Sequence, residues 1–378
     1  RSLMCDKKKL LFLSGTRADF GKLKSLMKKV DAAENMELHV FATGMHMMSK
    51  YGMTVHEIEK SGFGSIYKYI NQNTNDSMDA VLAKTIMGLS DYVKELKPHM
   101  IVVHGDRVEA MAGAIVGSLN NILVGHVEGG EVSGTIDELI RHSTSKMAHV
   151  HFVCNEEAKR RLLQLGELES SIFVIGSPDL DIMLSKNLPT VEQVREKYKI
   201  PFKKYAVLMY HPVTTSLHEL PNNIKSLVNA VINSKENYVV IYPNNDHGTD
   251  EILEEYKRLE NLPNVRLFPS IRFEYFLSLL KYSQFLIGNS SAGVREAPFY
   301  GLPSIDIGSR QLNRATAPSI IKCEHVTDLI LEAINVAKIS SYKPFREFGE
   351  GSSDQYFIES LFGGDVWSIS KQKLFNDL

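Results

Sequence analysis

Short apolar runs rich in Val, Ile, Leu and Phe alternate with amphipathic stretches of helical length along most of this chain. A strand buried on both faces shows no polar alternation, and a crossover of helical length must separate it from the next parallel strand. The pattern therefore specifies α/β architecture with parallel sheets. Strands are predicted near Leu10 to Leu13, Leu38 to Ala42, Met100 to His104, Ile122 to Val127, His151 to Cys154 and Ile172 to Ile175. A second series follows near Ala206 to Tyr210, Tyr238 to Tyr242, Val265 to Phe268, Phe285 to Ile287 and Ser304 to Ile307. The best-defined helix covers Asp76 to Leu96 and stops before Lys97-Pro98, because a proline disfavours helical geometry in the preceding residue.

Two such sheets fit the length: 378 residues, 43% of them hydrophobic, can form two domains of roughly 150 residues, each with its own core. Gly176 to Pro189, with Gly-Ser-Pro and several Asp residues, has the composition of a boundary. The expected division is an N-terminal domain over 1–176, a C-terminal domain over 177–353, and a terminal stretch 354–378 whose helical apolar spacing suits packing back on the first domain. No short repeat or low-complexity tract is present, which excludes solenoid and disordered-scaffold readings.

Forty-three Lys and Arg against 45 Asp and Glu leave a formal charge of -2, so there is no global basic field for a nucleic-acid partner. A local basic pocket for a small phosphorylated ligand stays compatible with that balance. Cys5, Cys154 and Cys323 have no metal-type spacing, which argues against a disulfide framework or structural zinc and fits a reducing compartment. The longest apolar runs, such as Ile101 to Val103, fall far short of the ~18 to 20 residues that span a bilayer, so a soluble protein without a membrane partner is expected. Arg1 to Lys9 reads as a leader remnant or disordered lead-in rather than a signal peptide.

The residues that carry chemistry gather where strands end. Ser14 to Gly21 joins a strand to a helix predicted over Lys22 to Val30; its small residues let backbone approach an anion, and Arg17 adds charge. It is neither G-x-G-x-x-G nor a P-loop, so it does not argue for a dinucleotide cofactor, and a plain tight turn with a surface arginine explains it equally well. His104-Gly105-Asp106-Arg107 follows another strand; Asp106, taken singly, reads as the N-cap of a helix beginning near Val108. His126-Val127-Glu128-Gly129-Gly130-Glu131 ends the next strand and leads to Asp137. Asp106, Glu128 and Asp137 thus emerge near one rim, where neighbouring carboxylates can divide acid and base roles. A solvated first helical turn is the alternative reading of Asp137 and Glu138, Glu131 is read as an ordinary solvated side chain, and His104, His126, His142, His149 and His151 as core or surface histidines rather than metal ligands. In the second half His211-Pro212, Tyr242-Pro243-Asn244 and Gly288-Asn289-Ser290-Ser291 close strands, the last running into a helix whose start could cradle a diphosphate without a lysine. Glu296, within that helix, is placed to accept hydrogen bonds from ribose hydroxyls.

The strings SGTRADFGKL, TGMHMM, HGDRVEA, HVEGGEVSGTIDELIRH, GSPDLD, HPVTT, YPNNDHGT, FPSIRFEYF, GNSSAGVREAP and PSIDIGSRQ, in that order, resemble the UDP-N-acetylglucosamine 2-epimerase family, specifically its hydrolysing bacterial branch that feeds sialic-acid synthesis. The resemblance covers nearly the whole chain. It implies a glycosyltransferase-B-like pair of Rossmann-type domains facing across a cleft, UDP mainly on the second, a homodimer, and a cytoplasmic enzyme with neither redox cofactor nor metal. It implies further that Asp106, Glu128 and Asp137 are the essential carboxylates and that Arg107 orients Asp106 or the sugar. Arg17, His211, Ser290 and Ser291 would hold the diphosphate, Glu296 the ribose, Asn244 and Arg310 would add contacts, and Phe268 or its backbone neighbours would face uracil. The competing readings are a hydrolysing 2-epimerase of UDP-N,N'-diacetylbacillosamine, a glycosyltransferase on the same scaffold, and a silent UDP-sugar-binding module.

Overall fold

The computed structural model describes residues 6–314 and 316–378. Cys5 and the first part of the predicted lead-in lie outside the described residues. The remainder of that lead-in is not loose, because Lys8 and Lys9 open the first strand.

The first sheet has seven parallel strands: β1 (Lys8–Ser14), β2 (Met36–Ala42), β3 (Ile66–Lys68), β4 (Met100–His104), β5 (Leu123–Val127), β6 (Val150–Val153) and β7 (Ile172–Val174), in the order β3-β2-β1-β4-β5-β6-β7. The second has six: β8 (Ala206–Met209), β9 (Tyr238–Ile241), β10 (Val265–Phe268), β11 (Leu286–Gly288), β12 (Ser304–Ile307) and β13 (Ile320–Cys323), in the order β10-β9-β8-β11-β12-β13. Both orders reverse direction at one point, between β1 and β4 and between β8 and β11, as in a Rossmann-type fold.

Burial on both faces is visible within β1, where successive side chains point to opposite sides. Leu10 and Phe12 join a core with Leu23, Met27 and Phe357, whereas Leu11 and Leu13 join another with Leu89, Val93 and Ala114. In the second sheet Leu208, Val240, Ile287 and Ile305 pack with Ile224, Leu227, Ile330 and Ile334 from helices Leu220–Ser234 and Thr327–Ala337. The edge strands β3 and β13 were not among the predicted strands; both are short, and neither has a fully buried residue to give it an apolar run.

The chain divides into two compact units: 1–131, 137–184 and 348–378 in the first, 132–136 and 185–347 in the second. The crossing thus falls between Leu184 and Ser185 rather than at 176–177, and the return begins at Phe348 rather than at 354. The reason is local. Helix Pro178–Met183 packs on helix Arg17–Asp31, and its Asp181 carboxylate accepts the backbone amides of Ser353 (3.0 Å) and Asp354 (2.9 Å), capping helix Ser353–Phe362. Phe357 of that helix lies edge-on to Phe12 and Phe152 at 6.1 and 4.8 Å between centroids. The long helix Met78–Leu96 ends as predicted, with Lys97 left-handed (φ 53°) immediately before Pro98. Among the described residues, no helix is long and apolar enough to cross a membrane.

Candidate active site

Ligands of open α/β sheets bind beyond the carboxyl ends of the strands, at the reversal point. In the first unit that point is flanked by the Ser14-Gly15 turn after β1 and by His104 to Arg107 after β4. Helix Arg17–Asp31 starts earlier than predicted because Thr16 caps it, accepting the Asp19 amide at 3.0 Å. Asp19 turns back to accept the Gly15 amide (3.1 Å) and the Ser14 hydroxyl (2.5 Å), and the Ser14 Oγ also meets Nε2 of buried His46 at 2.8 Å. Burial pushes His46 down to about 4, so the ring is neutral near pH 7. Arg17 stands at the first helical position, with its guanidinium on the Glu57 carboxylate.

Asp106 is not the cap of the following helix. Helix Val108–Leu119 has Arg107 at its N-cap position without a side-chain cap, and Asp106 Oδ2 instead receives a 2.5 Å ion-paired hydrogen bond from Arg141. Arg141 is 1% exposed, and its other terminal nitrogen donates to the Glu131 carbonyl at 3.2 Å. It lies on helix Ile136–Met147, one turn beyond Asp137, so both project from the same face. Arg107 Nε lies 3.6 Å from the buried Glu109 carboxylate.

His126 locks these parts together. Its Nε2 donates to the Gly105 carbonyl (2.7 Å), which can only accept, and so its Nδ1 accepts from the Ser145 hydroxyl (2.8 Å). Burial pushes its pKa down to about 3, which preserves the neutral tautomer this arrangement needs. One ring thereby ties the turn bearing Asp106 to the helix bearing Asp137 and Arg141.

Glu128 has left-handed backbone, φ 66°, where a non-glycine residue costs about 1–3 kcal/mol. The surroundings hold it there: Nε2 of His104 meets Oε2 at 2.8 Å, and the Ser177 hydroxyl meets Oε1 at 2.7 Å. Gly130 follows with φ 76°, and a Cβ on it would sit 2.3 Å from the Ala158 carbonyl oxygen. That glycine admits the protein's own backbone. Glu131 is 3% exposed, a buried side chain rather than a solvated one, whereas Glu138 does sit on an outer turn, paired with His142 at 3.3 Å.

At the second reversal point side chains fasten the backbone at the strand ends. His211 donates its amide to Asn289 Oδ1 (2.7 Å) and accepts from Asn289 Nδ2 at its carbonyl (2.9 Å), so one amide side chain clips the ends of β8 and β11. The Asn244 amide donates to His211 Nδ1 at 2.9 Å, which puts the proton of the neutral ring on Nε2. Arg310 and Gln311 both donate to the Asn289 carbonyl at 3.1 Å. Gly288, φ 139°, cannot carry a side chain, since a Cβ would fall 1.7 Å from the Met209 carbonyl oxygen. Ser290 caps the 3-10 turn Ser291–Gly293, accepting from the Ala292 amide at 3.3 Å, and Glu296, 2% exposed, opens helix Glu296–Phe299 rather than lying within it. Phe268 is packed edge-on to Tyr198 at 5.6 Å, with the Arg266 guanidinium 5.4 Å from its centroid. A separate cavity of about 380 Å³ lies by Tyr210, Val213, Gly308 and His325, and none of the predicted binding residues lines it. Among the described residues no group of three or more His, Cys, Asp or Glu side chains is arranged for a metal ion.

Arg141, Asn289, Ser177 and Glu109 were not singled out from sequence. The one available signal was for Arg141, four residues beyond Asp137 on a predicted helix.

Two Rossmann-like parallel sheets, each reversing its strand order once, define a glycosyltransferase-B-like α/β protein. The profile of the family described as UDP-N-acetylglucosamine 2-epimerase matches residues 28–362, and the chain belongs to that family. A UDP-N-acetylglucosamine 2-epimerase of Neisseria meningitidis serogroup B is 46% identical over 98% of this chain and 99% of its own length. The UDP-N,N'-diacetylbacillosamine 2-epimerase (hydrolyzing) of Legionella pneumophila is 33% identical over 94% of this chain and 95% of its own. In fold the chain is similar to Methanocaldococcus jannaschii UDP-GlcNAc 2-epimerase, whose structure was solved with UDP-GlcNAc and UDP: TM-score 0.81, 22% identity, covering 94% of this chain and 100% of that one.

Proposed function

We propose that this chain is a hydrolysing UDP-N-acetylglucosamine 2-epimerase, converting its substrate and water to UDP and free N-acetylmannosamine for sialic-acid synthesis, in the cytoplasm and as a homodimer. H2 of the sugar is not acidic, because no carbonyl adjoins C2. It can leave only as the C1–O bond to UDP breaks and positive charge develops at C1. The enzyme must therefore hold a departing diphosphate and supply a base. Asp106 removes H2, and anti elimination gives 2-acetamidoglucal with UDP as leaving group; a proton added to C2 from the opposite face and water added to C1 then give the manno product. Glu128 and Asp137 serve the hydration and stabilise the cation. Arg107 orients Asp106 or the sugar.

Arg17, His211, Ser290 and Ser291 hold the diphosphate, and Glu296 the ribose. Asn244 and Arg310 add contacts, and uracil lies by Phe268 or its backbone neighbours. Hydrogen leaves as a proton, so the reaction asks for no redox cofactor.

The observation that carries this reading is Asp106 fixed by buried Arg141 beside a conformationally strained Glu128 on the adjacent strand end. The test is incubation with UDP-N-acetylglucosamine and no acceptor. Release of UDP with free N-acetylmannosamine is expected. Intact substrate would point to a transferase, and turnover of only the UDP-N,N'-diacetylbacillosamine substrate would reassign the sugar, a reading favoured by the 33% identical Legionella enzyme.

A further inference from the structure

One hydroxyl carries one proton, yet Ser177 Oγ hydrogen-bonds two carboxyl groups, Glu128 Oε1 at 2.7 Å and Asp179 Oδ1. All three side chains are buried, with Glu128 4% exposed and Ser177 and Asp179 fully enclosed. Ser177 can donate to only one of the two oxygens; the other contact becomes a hydrogen bond only if that carboxyl group carries a proton of its own. The neighbours decide which one. Lys22 Nζ, a cation, lies 3.9 Å from Asp179 Oδ2, whereas Glu128 Oε2 faces the ring nitrogen of His104. Asp181, on the same short helix, is turned to the amides of Ser353 and Asp354. The cation keeps the negative charge on Asp179, which accepts from Ser177, and Ser177 accepts from Glu128.

We infer that Ser177 and Asp179 are positioning residues that keep a proton on Glu128, and that Glu128 delivers it to C2 of the glycal intermediate. The inference rests on the epimerase reading above. In the first step the Asp106 carboxylate takes H2, and the C1–O electron pair departs with UDP. In the second, the Glu128 carboxylic acid gives its proton to C2, water oxygen bonds to C1, and the displaced water proton passes to the Asp137 carboxylate. Glu128 and Asp179 are then both anionic across a single hydroxyl, a buried like-charge arrangement that favours prompt reprotonation of Glu128. Of the protons then held on Asp106 and Asp137, one restores Glu128 through solvent and one is released with UDP.

The test compares wild type with Asp179→Asn, Ser177→Ala and Ser177→Thr, using UDP-N-acetylglucosamine as substrate. The Asp179→Asn change keeps the shape: the new amide donates to Ser177, which then donates to an anionic Glu128, so the chain stays bonded but loses the shared proton. We expect Asp179→Asn to lower kcat about 10- to 100-fold with KM within about threefold. It should also release 2-acetamidoglucal into solution and move the basic limb of the kcat–pH profile to lower pH. Ser177→Ala should do the same, and Ser177→Thr, which restores a hydroxyl, should recover most of kcat. Melting temperatures identify any variant that has simply lost its fold. Folded Asp179→Asn and Ser177→Ala proteins with wild-type kcat, or with a lowered kcat but an unmoved pH profile and no glucal, would overturn the inference. An inert wild type would instead sink the function proposed above.

Discussion

The two sheets share a strand order at their reversal points and differ in what they place there. In the first, side chains dominate: Asp106 on Arg141, Glu128 between His104 and Ser177, and a neutral buried His126 binding turn to helix. In the second, uncharged side chains fix the backbone at the strand ends, with the Asn289 side-chain amide clipping His211, the His211 ring accepting the Asn244 main-chain N–H, and Ser290 capping a turn. Carboxylates with fixed partners are suited to moving protons. A strand end fixed by those uncharged contacts suits the diphosphate-holding role proposed above, since it needs no reorganisation as charge grows on the departing group. The same fold thus carries charged, paired groups at one rim and uncharged, amide-linked ones at the other, according to which residues terminate the strands.

That contrast can be broken by substitution. The largest effect is expected for Asp106→Asn, which should lower kcat about 1,000-fold while the Kd for UDP, by calorimetry, stays within about threefold. A large loss of UDP affinity would erase the distinction between the rims. Arg141→Lys comes next. A lysine cannot reproduce the paired contacts to Asp106 and the Glu131 carbonyl, so kcat should fall about 10- to 100-fold. Ser290→Ala should act on the other side of the comparison, weakening UDP binding about 10-fold with kcat nearly unchanged, the size of one hydrogen bond to a charged group.

The smallest effect on activity belongs to Glu167, a carboxylate of the first unit that lies away from its rim. Burial pushes its pKa up, but hydrogen bonds from His151, Lys373 and Lys146 outweigh burial and bring it to about 2. A depressed carboxylate stabilises the fold fully above its ordinary value near 4.5 and loses that contribution as pH falls toward 2. Glu167→Gln should therefore cost about 3 kcal/mol of stability at pH 7, with the difference from wild type closing between pH 4.5 and 2, and should leave kcat unchanged. Urea denaturation across that pH range checks it.

Eleven of the strands could be read from apolar runs because burial on both faces leaves an unbroken signature. The exceptions, β3 and β13, sit at sheet edges, where half-exposed residues such as Tyr67 and Lys322 interrupt it. Asp106, Glu128 and Asp137 could be singled out because three carboxylates follow predicted strands near one rim and the family resemblance implies them, although Asp106 alone reads as a helix cap. Their partners could not. Arg141 reaches Asp106 across 35 residues of sequence and Ser177 reaches Glu128 across 49, and such contacts follow only from the order in which strands pair. The cap assigned to Asp106 failed for the same reason: local propensity favoured the helix end, and a distant arginine won.

Proton NMR of the reaction in heavy water tests the central claim most directly. If a base on the first rim removes H2 and a different acid returns a solvent-equilibrated proton, the released N-acetylmannosamine will carry deuterium at C2, with UDP formed in equal amount. Product that retains its original hydrogen at C2, or UDP-linked sugar epimerised without release, would contradict the account.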